Sequence, residues 1–352
     1  MTLPTEPIGS IPRPAYLVAA LGDRAKGLIS DDDLAKLQLK AVQETILALE
    51  KTGSPVITDG EQSKPSFATY PLSGATNLSP HGVVIPFRDG HTRQLPVLNG
   101  GRFTYQHYAD SYLKEAQIHS RLPIKQAVIS ASAMSLLYPQ DGLAGYSRDQ
   151  FIADLLNEAE KDIRRCLDAG AYNVQIDFTE GRLAIKLDPS KGLLKMFIDL
   201  NNQLLSRFTP NERKRIGIHS CPGGDHDSTH SADVNYDDLL PELFQLDAGN
   251  FYLTFAAEAD KGAVLKAIRK SLKPNQRVFL GVTNVLDPRI ETPEEVSALL
   301  VDAAKTLPAN QLGSCDDCGF SPFADDVSTA REIAFAKIKA RVMGTEMAAM
   351  RV

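Results

Sequence analysis

The residues best suited to chemistry in this chain are a histidine and a cysteine two apart, His219 and Cys221, and a distant cysteine pair, Cys315 and Cys318. His219 and Cys221 close a short apolar run, residues 215–221, that stops at Pro222-Gly223-Gly224. Side chains alternate between the two faces of a strand, so an imidazole and a thiol two residues apart point the same way. Gly and Pro mark a loop, which puts both groups where a buried strand meets a loop. Imidazole with thiolates is a zinc donor set. A histidine alone beside a buried strand is more often a hydrogen-bonded core residue, and a cysteine alone a small buried hydrophobe. Such groups at two strand ends favour a metal. Thiolate-rich zinc has little Lewis acidity toward water but suits a substrate thiol, whose pKa falls on binding. The pattern therefore points to alkyl transfer to sulfur rather than hydrolysis. Cys166, between Ile163 and Leu167 on a helix face, reads as core.

Ionisable groups recur at the ends of other apolar runs: Asp59 and Glu61, Asp177 with Glu180 and Arg182 beyond, Glu258 and Asp260, Asp287, and Asp317. Asp177 follows Val174-Gln175-Ile176 inside a buried run, where a charge must be offset by a partner, so it reads as functional. Asp59 and Glu61 serve equally well as caps of a following helix. His226 and His230 lie in a polar stretch and read as solvated loop residues.

What would position these groups is an alternation of strands and helices. Apolar runs at residues 7–11, 56–61, 124–132, 172–179, 215–221, 250–256, 277–284 and 311–315 alternate with helical periodicity, for example over 34–51 and 151–169. Thr292-Pro293-Glu294-Glu295 and Ser30-Asp31-Asp32-Asp33 are helix starts, with a capping hydroxyl and first-turn acids. A long helix over 323–343 is expected to close the chain. This pattern predicts an α/β fold, a single (β/α)8 TIM barrel over residues 1–352. No Gly-x-Gly-x-x-Gly follows any strand, which argues against a dinucleotide-binding fold. Residues 62–108 are too long for a structureless loop. Within them 83–98 predicts a β-hairpin turned at Asp89-Gly90, folding over the barrel mouth as a lid. A second, polar excursion spans 222–235.

With 352 residues, 43% hydrophobic, 23% charged and a formal charge of −6, the composition is that of a water-soluble globular protein. Scattered Lys and Arg give no nucleic-acid footprint, and no apolar run reaches the ~18 residues that would span a membrane. The N-terminus lacks a basic region followed by an apolar core, so no signal peptide is expected and a cytoplasmic location is. Four cysteines in a chain of this length suit metal or reactive roles better than a disulfide framework.

Residues 7–14 (Pro-Ile-Gly-Ser-Ile-Pro-Arg-Pro), Asp59-Gly60-Glu61, Gln175-Ile176-Asp177, His219-x-Cys221, residues 288–296 and Asp317-Cys318-Gly319 resemble, in this order, the catalytic barrel of cobalamin-independent methionine synthase. The resemblance spans almost the whole chain and fits a short, single-barrel form. It implies Zn2+ held by His219, Cys221 and Cys318, with the sulfur of L-homocysteine bound to the metal and L-methionine as product. It implies that Ile8, Ser10, Glu61 and Asp177 hold the amino-acid end. Carboxylates suit an ammonium, and backbone amides with a serine hydroxyl suit a carboxylate. No catalytic residue beyond the metal site is identified. The family's fourth zinc ligand, a glutamate, aligns with Ala256. Glu258, two residues on and on the same face of a continuing strand, is the expected substitute, with Cys315 or a loop histidine as alternatives. Leu286 stands where the family has a proton-donating histidine, and Leu183 where it has an acid for the pterin, although Glu180 is close. Departures thus gather on the methyl-donor side. The donor implied is methyltetrahydrofolate or another methyl carrier, such as a corrinoid protein. Two other readings remain: alkyl transfer to a different thiol, as in coenzyme M transferases, which the sequence also resembles, and a zinc-stabilised binding protein without turnover. Decarboxylation of a tetrapyrrole, in a related barrel family, is disfavoured by the zinc set.

Overall fold

The computed structural model describes residues 2–352; Met1, the first residue of the expected 1–352 unit, lies outside the described residues. Six parallel strands form one sheet: Gln126–Ile129, Val174–Asp177, Ile216–Ser220, Asn250–Leu253, Arg277–Gly281 and Leu312–Cys315. They lie side by side in chain order. Nearly every residue in them is buried on both faces, as expected for parallel strands with helices on one side and a packed interior on the other. The helix Arg148–Asp168 buries Phe151, Leu155, Leu156, Ala159, Ile163 and Cys166, so that cysteine is core. Ser30, Ser147, Thr209 and Thr292 each form a reciprocal capping box with the residue three further on.

The runs expected as the first two strands are not regular strands. The first, 7–11, holds no bridge of its own and follows a parallel bridge of Thr5 to Ser314, and the second is reduced to one parallel bridge, Ile57 to Ile124. Prolines explain this: Pro4, Pro7, Pro12 and Pro55 have no N–H to donate to a ladder. The two segments meet each other, with Ile11 N–H donating to Gly60 C=O at 3.0 Å and Thr58 Oγ1 to Gly9 C=O at 2.8 Å. These contacts carry the sheet round from the last strand to the first, as a (β/α)8 barrel requires. The closing helix runs over Arg331–Ala349 rather than 323–343. The stretch before it is held as a loop, with Phe323 bridged to Ser66 and Asp326 accepting from Ser328.

In the long excursion, Val84–Pro86 pairs antiparallel with Thr92–Gln94, and Ile85 stands opposite Arg93. Gly90 turns the hairpin at φ +95°, a conformation glycine adopts without steric cost. A second short pairing joins Leu78–Ser79 to Val97–Leu98. The other excursion forms a small hairpin, Gly224–Asp225 against Ser228–Thr229. The two are stitched together by Arg88 N–H to Thr229 C=O at 3.0 Å and by Arg93 paired with Asp225.

Candidate metal and thiol site

His219 sits near the end of its strand, opposite Tyr252 of the neighbouring one. Its Nδ1 lies 3.1 Å from the Tyr252 carbonyl oxygen. A carbonyl only accepts, so Nδ1 carries the proton and Nε2 keeps its lone pair. Nε2 is buried with no hydrogen-bond partner. Cys221 follows on the same side, and its Sγ is 3.2 Å from Cys318 Sγ. The ligand atoms of His219, Cys221 and Cys318 all lie within 4.8 Å of one another. The sulfurs share charge unequally. Contact with Cys318 pulls the Cys221 thiol well below its ordinary range, whereas that contact and burial push Cys318 well above. Burial is the largest influence on the His219 pKa and lowers it, but Cys221, Asp177 and the Tyr252 carbonyl together turn the net shift upward. A buried imidazole nitrogen without a hydrogen-bond partner beside two sulfurs is a donor set suited to zinc. Three such donors fit a zinc ion with one position open.

Cys318 is brought there by Asp317. The Asp317 N–H donates to Thr283 C=O at 3.0 Å. Its carboxylate accepts from the backbone N–H groups of Phe255, Ala256 and Ala257 at 2.7–2.8 Å. Gly281 makes room for this, because a Cβ there would lie 2.0 Å from Asp317 Oδ1. The same contacts overturn the expectation for Glu258. The strand ends at Leu253, and the three N–H groups turned onto Asp317 bend the chain away. Glu258 therefore does not join the sulfur pair. Its Oε1 lies 2.5 Å from Arg182 Nη2, an ion pair shielded from water. Cys315 is not with the group either: it packs with Ile8, Tyr252 and Phe279 in the barrel interior.

A cavity opens onto these donors, lined by Ile8, Ser10, Glu61 and Asp177 on the barrel side and by Phe87 and Arg93 of the hairpin on the other. Ser10 Oγ accepts from Ser321 N–H at 3.2 Å, which leaves its own proton to donate. Glu61 has φ +57°, a strained conformation for a residue with a side chain. It is held there by Arg13, whose Nη2 donates to the Glu61 and Lys64 carbonyls at 2.6 and 3.0 Å. Lys64, fully buried, places Nζ 3.1 Å from Glu61 Oε1. Asp177 Oδ1 accepts from Gln175 Nε2 at 2.7 Å, and burial pushes its carboxyl up to about 7.

Three lining residues were not legible as site residues. His230, expected as solvated, is buried and folds over Gly223, where a Cβ would meet its Nε2 at 1.7 Å. Burial pushes its pKa down to about 4, so the ring is neutral. Arg93 lies over the Phe323 ring at 4.2 Å while paired with Asp225 and Asp325. Phe87 stacks on His91. No motif announces these residues; they reach the cavity only because the excursions dock on it. Asp225, His226 and Asp326 also cluster, but the Arg93 guanidinium already occupies Asp225, and the group acts as a clasp between loops. Among the described residues, no helix is long and apolar enough to cross a membrane.

Residues 3–343 match the family described as "Cobalamin-independent synthase, Catalytic domain". A methionine synthase of Sulfurisphaera tokodaii is 22% identical over 98% of this chain and 92% of its own length. A 5-methyltetrahydropteroyltriglutamate–homocysteine methyltransferase of Nitrobacter winogradskyi is 25% identical over 90% of this chain, which spans only 39% of that longer protein. The structure of a B12-independent methionine synthase from Shewanella sp. W3-18-1, in complex with selenomethionine, superposes with a TM-score of 0.76 at 19% identity, covering 100% of this chain and 99% of that one. That likeness shows a shared fold.

Proposed function

Since the chain belongs to the cobalamin-independent synthase catalytic-domain family, we propose that it is a zinc-dependent methyltransferase that moves a methyl group onto the thiol of L-homocysteine, giving L-methionine. The observation that carries this reading is the unpartnered, buried Nε2 of His219 beside the paired sulfurs of Cys221 and Cys318. Zinc bound there supplies the charge that keeps a substrate sulfur ionised at neutral pH. The chain's own residues do the remaining work. The Tyr252 carbonyl fixes the His219 tautomer. Asp177 and Glu61 line the cavity with carboxyl groups, which suit the substrate's ammonium. Ile8 and Ser10 offer a backbone amide and a hydroxyl to its carboxylate. The walls supplied by Phe87 and Phe323 keep water from the sulfur as it attacks the methyl carbon in line and the donor leaves with the bonding pair.

An anionic thiol without an amino group brings no ammonium to Glu61 and Asp177, and the cations beside the cavity, Lys64 and Arg93, are already paired with Glu61 and with Asp225 and Asp325. That weighs against a coenzyme M-like substrate. A purely structural zinc site needs four protein ligands, and three gather among the described residues. On the donor side, Leu183 stands in place of the acid expected for a pterin and Leu286 in place of the proton-donating histidine, so the donor we favour is a methyl carrier other than methyltetrahydrofolate. Turnover with methyltetrahydropteroyl-glutamate would contradict that choice.

Rescue of a methionine auxotroph tests the main reading. The wild-type gene is expected to restore growth and the purified protein to contain zinc, both lost in Cys318→Ser. Zinc and rescue that survive the substitution would refute the site.

A further inference from the structure

Behind Asp177 a buried chain of hydrogen bonds runs down the barrel interior. Lys125, at the foot of the strand Gln126–Ile129, is fully enclosed, with Nζ 3.7 Å above the Tyr252 ring and 3.7 Å from Glu6 Oε2. Glu6 is fixed in turn by the Tyr252 hydroxyl at 2.6 Å and Asn173 Nδ2 at 3.0 Å. Lys125 Nζ also lies 2.8 Å from Gln175 Oε1, and Gln175 Nε2 lies 2.7 Å from Asp177 Oδ1. Gln175 and Asp177 are two apart on one strand and so share a face.

This arrangement has one consistent direction. As an ammonium, the state that Glu6 nearby favours, the lysine nitrogen has no lone pair and only donates, so Oε1 of Gln175 faces it. The amide's NH2 is then forced toward Asp177. If the amide flipped, its NH2 would oppose Nζ and its oxygen would oppose a carboxylate oxygen, both repulsive contacts between buried groups.

We propose that Lys125 is a positioning residue for substrate recognition: through Gln175 it locks one oxygen of Asp177 and aims the other into the cavity, at the substrate's amino group. Glu6 and Tyr252 hold Lys125 in place for this task. The inference rests on the reading of Asp177 as the group that meets the ammonium.

The test compares two thiols on the zinc-loaded protein: homocysteine, and 4-mercaptobutanoate, the same molecule without its amino group. Both present a sulfur to the metal, so damage to the metal site weakens both. Calorimetric Kd values are measured for wild type, Lys125→Met, Gln175→Met, the double variant and Asp177→Asn. Loss of one aligned charge-assisted contact predicts that Lys125→Met and Gln175→Met each weaken homocysteine about tenfold and 4-mercaptobutanoate less than about twofold. The double variant should be no worse than Gln175→Met, because Lys125 acts through that residue. Equal loss for both thiols, no loss, or additive losses in the double variant would overturn the proposal. If Asp177→Asn also leaves the preference for the amino-bearing thiol intact, the reading of Asp177 fails first. If Asp177→Asn abolishes that preference and Lys125→Met keeps it, the positioning role alone fails. Should Lys125→Met not fold, Gln175→Met makes the same comparison.

Discussion

Asp317→Asn perturbs the metal site without touching a ligand. The wild-type carboxylate accepts three backbone N–H groups, two on Oδ1 from Phe255 and Ala256 and one on Oδ2 from Ala257. Burial pushes the Asp317 carboxyl up to about 7, against these donors, which favour its anion. Asparagine can present its oxygen to Phe255 and Ala256, but its NH2 then faces the Ala257 N–H, donor against donor. The Ala257 N–H sits in a part-buried contact on an exposed residue, so its loss falls at the low end of the cost of an unsatisfied donor, on the order of 1 kcal/mol, which for a chain of this size lowers the melting temperature by about 1–2 °C. The larger effect should fall on Cys318, whose loop this carboxylate anchors. Loosening the segment that carries a ligand should weaken metal binding by about tenfold, the lower end of the cost of losing a group that orients a ligand. Competition with a chromophoric chelator measures zinc affinity, and calorimetry the melting point. A slightly lowered melting point with zinc affinity unchanged would refute the claim that Asp317 positions Cys318, and would reduce it to an element of fold support.

Two further predictions concern acids, one partly buried and one fully buried. Glu258→Gln should leave zinc stoichiometry unchanged, because that carboxylate serves Arg182 rather than the sulfur pair; loss of zinc in the purified variant would restore Glu258 as a ligand. Asp162, fully buried against the Tyr70 hydroxyl and the Ala109 N–H, has its pKa pushed up to about 6 by burial. A raised carboxyl pKa means the folded state holds the proton more tightly than the unfolded one. Stability from this group is therefore fully present below about pH 4 and lost as pH rises through about 6, on the order of 3 kcal/mol in all. Asp162→Asn should flatten this part of the pH dependence in urea unfolding, and an unchanged slope would show that the ionisation lies elsewhere.

Much of the architecture was legible because period-two and helical patterns are local. The six regular strands fall within the apolar runs read from the sequence, and Thr292 and Ser30 cap the helices they precede. The first two barrel segments were legible as apolar but not as irregular, although their prolines carried that information. In the site, His219 and Cys221 follow from side-chain alternation within one strand. Glu258 failed for a non-local reason: whether a strand continues past Leu253 depends on Asp317, far along the chain, drawing off the next three N–H groups. His230 and Arg93 were missed for a related reason. Their place at the cavity depends on two excursions docking against each other, and neither has a periodicity that encodes its partner. The buried line from Glu6 through Lys125 to Asp177 joins separate strands, and only their registration brings it together.

X-ray absorption at the zinc edge, on the purified protein before and after addition of homocysteine, tests the central claim most directly. The account predicts two sulfur and at least one nitrogen neighbour without substrate, from Cys221, Cys318 and His219, and one additional sulfur at about 2.3 Å when homocysteine is bound. A protein without zinc, or a sulfur count that homocysteine leaves unchanged, would contradict it.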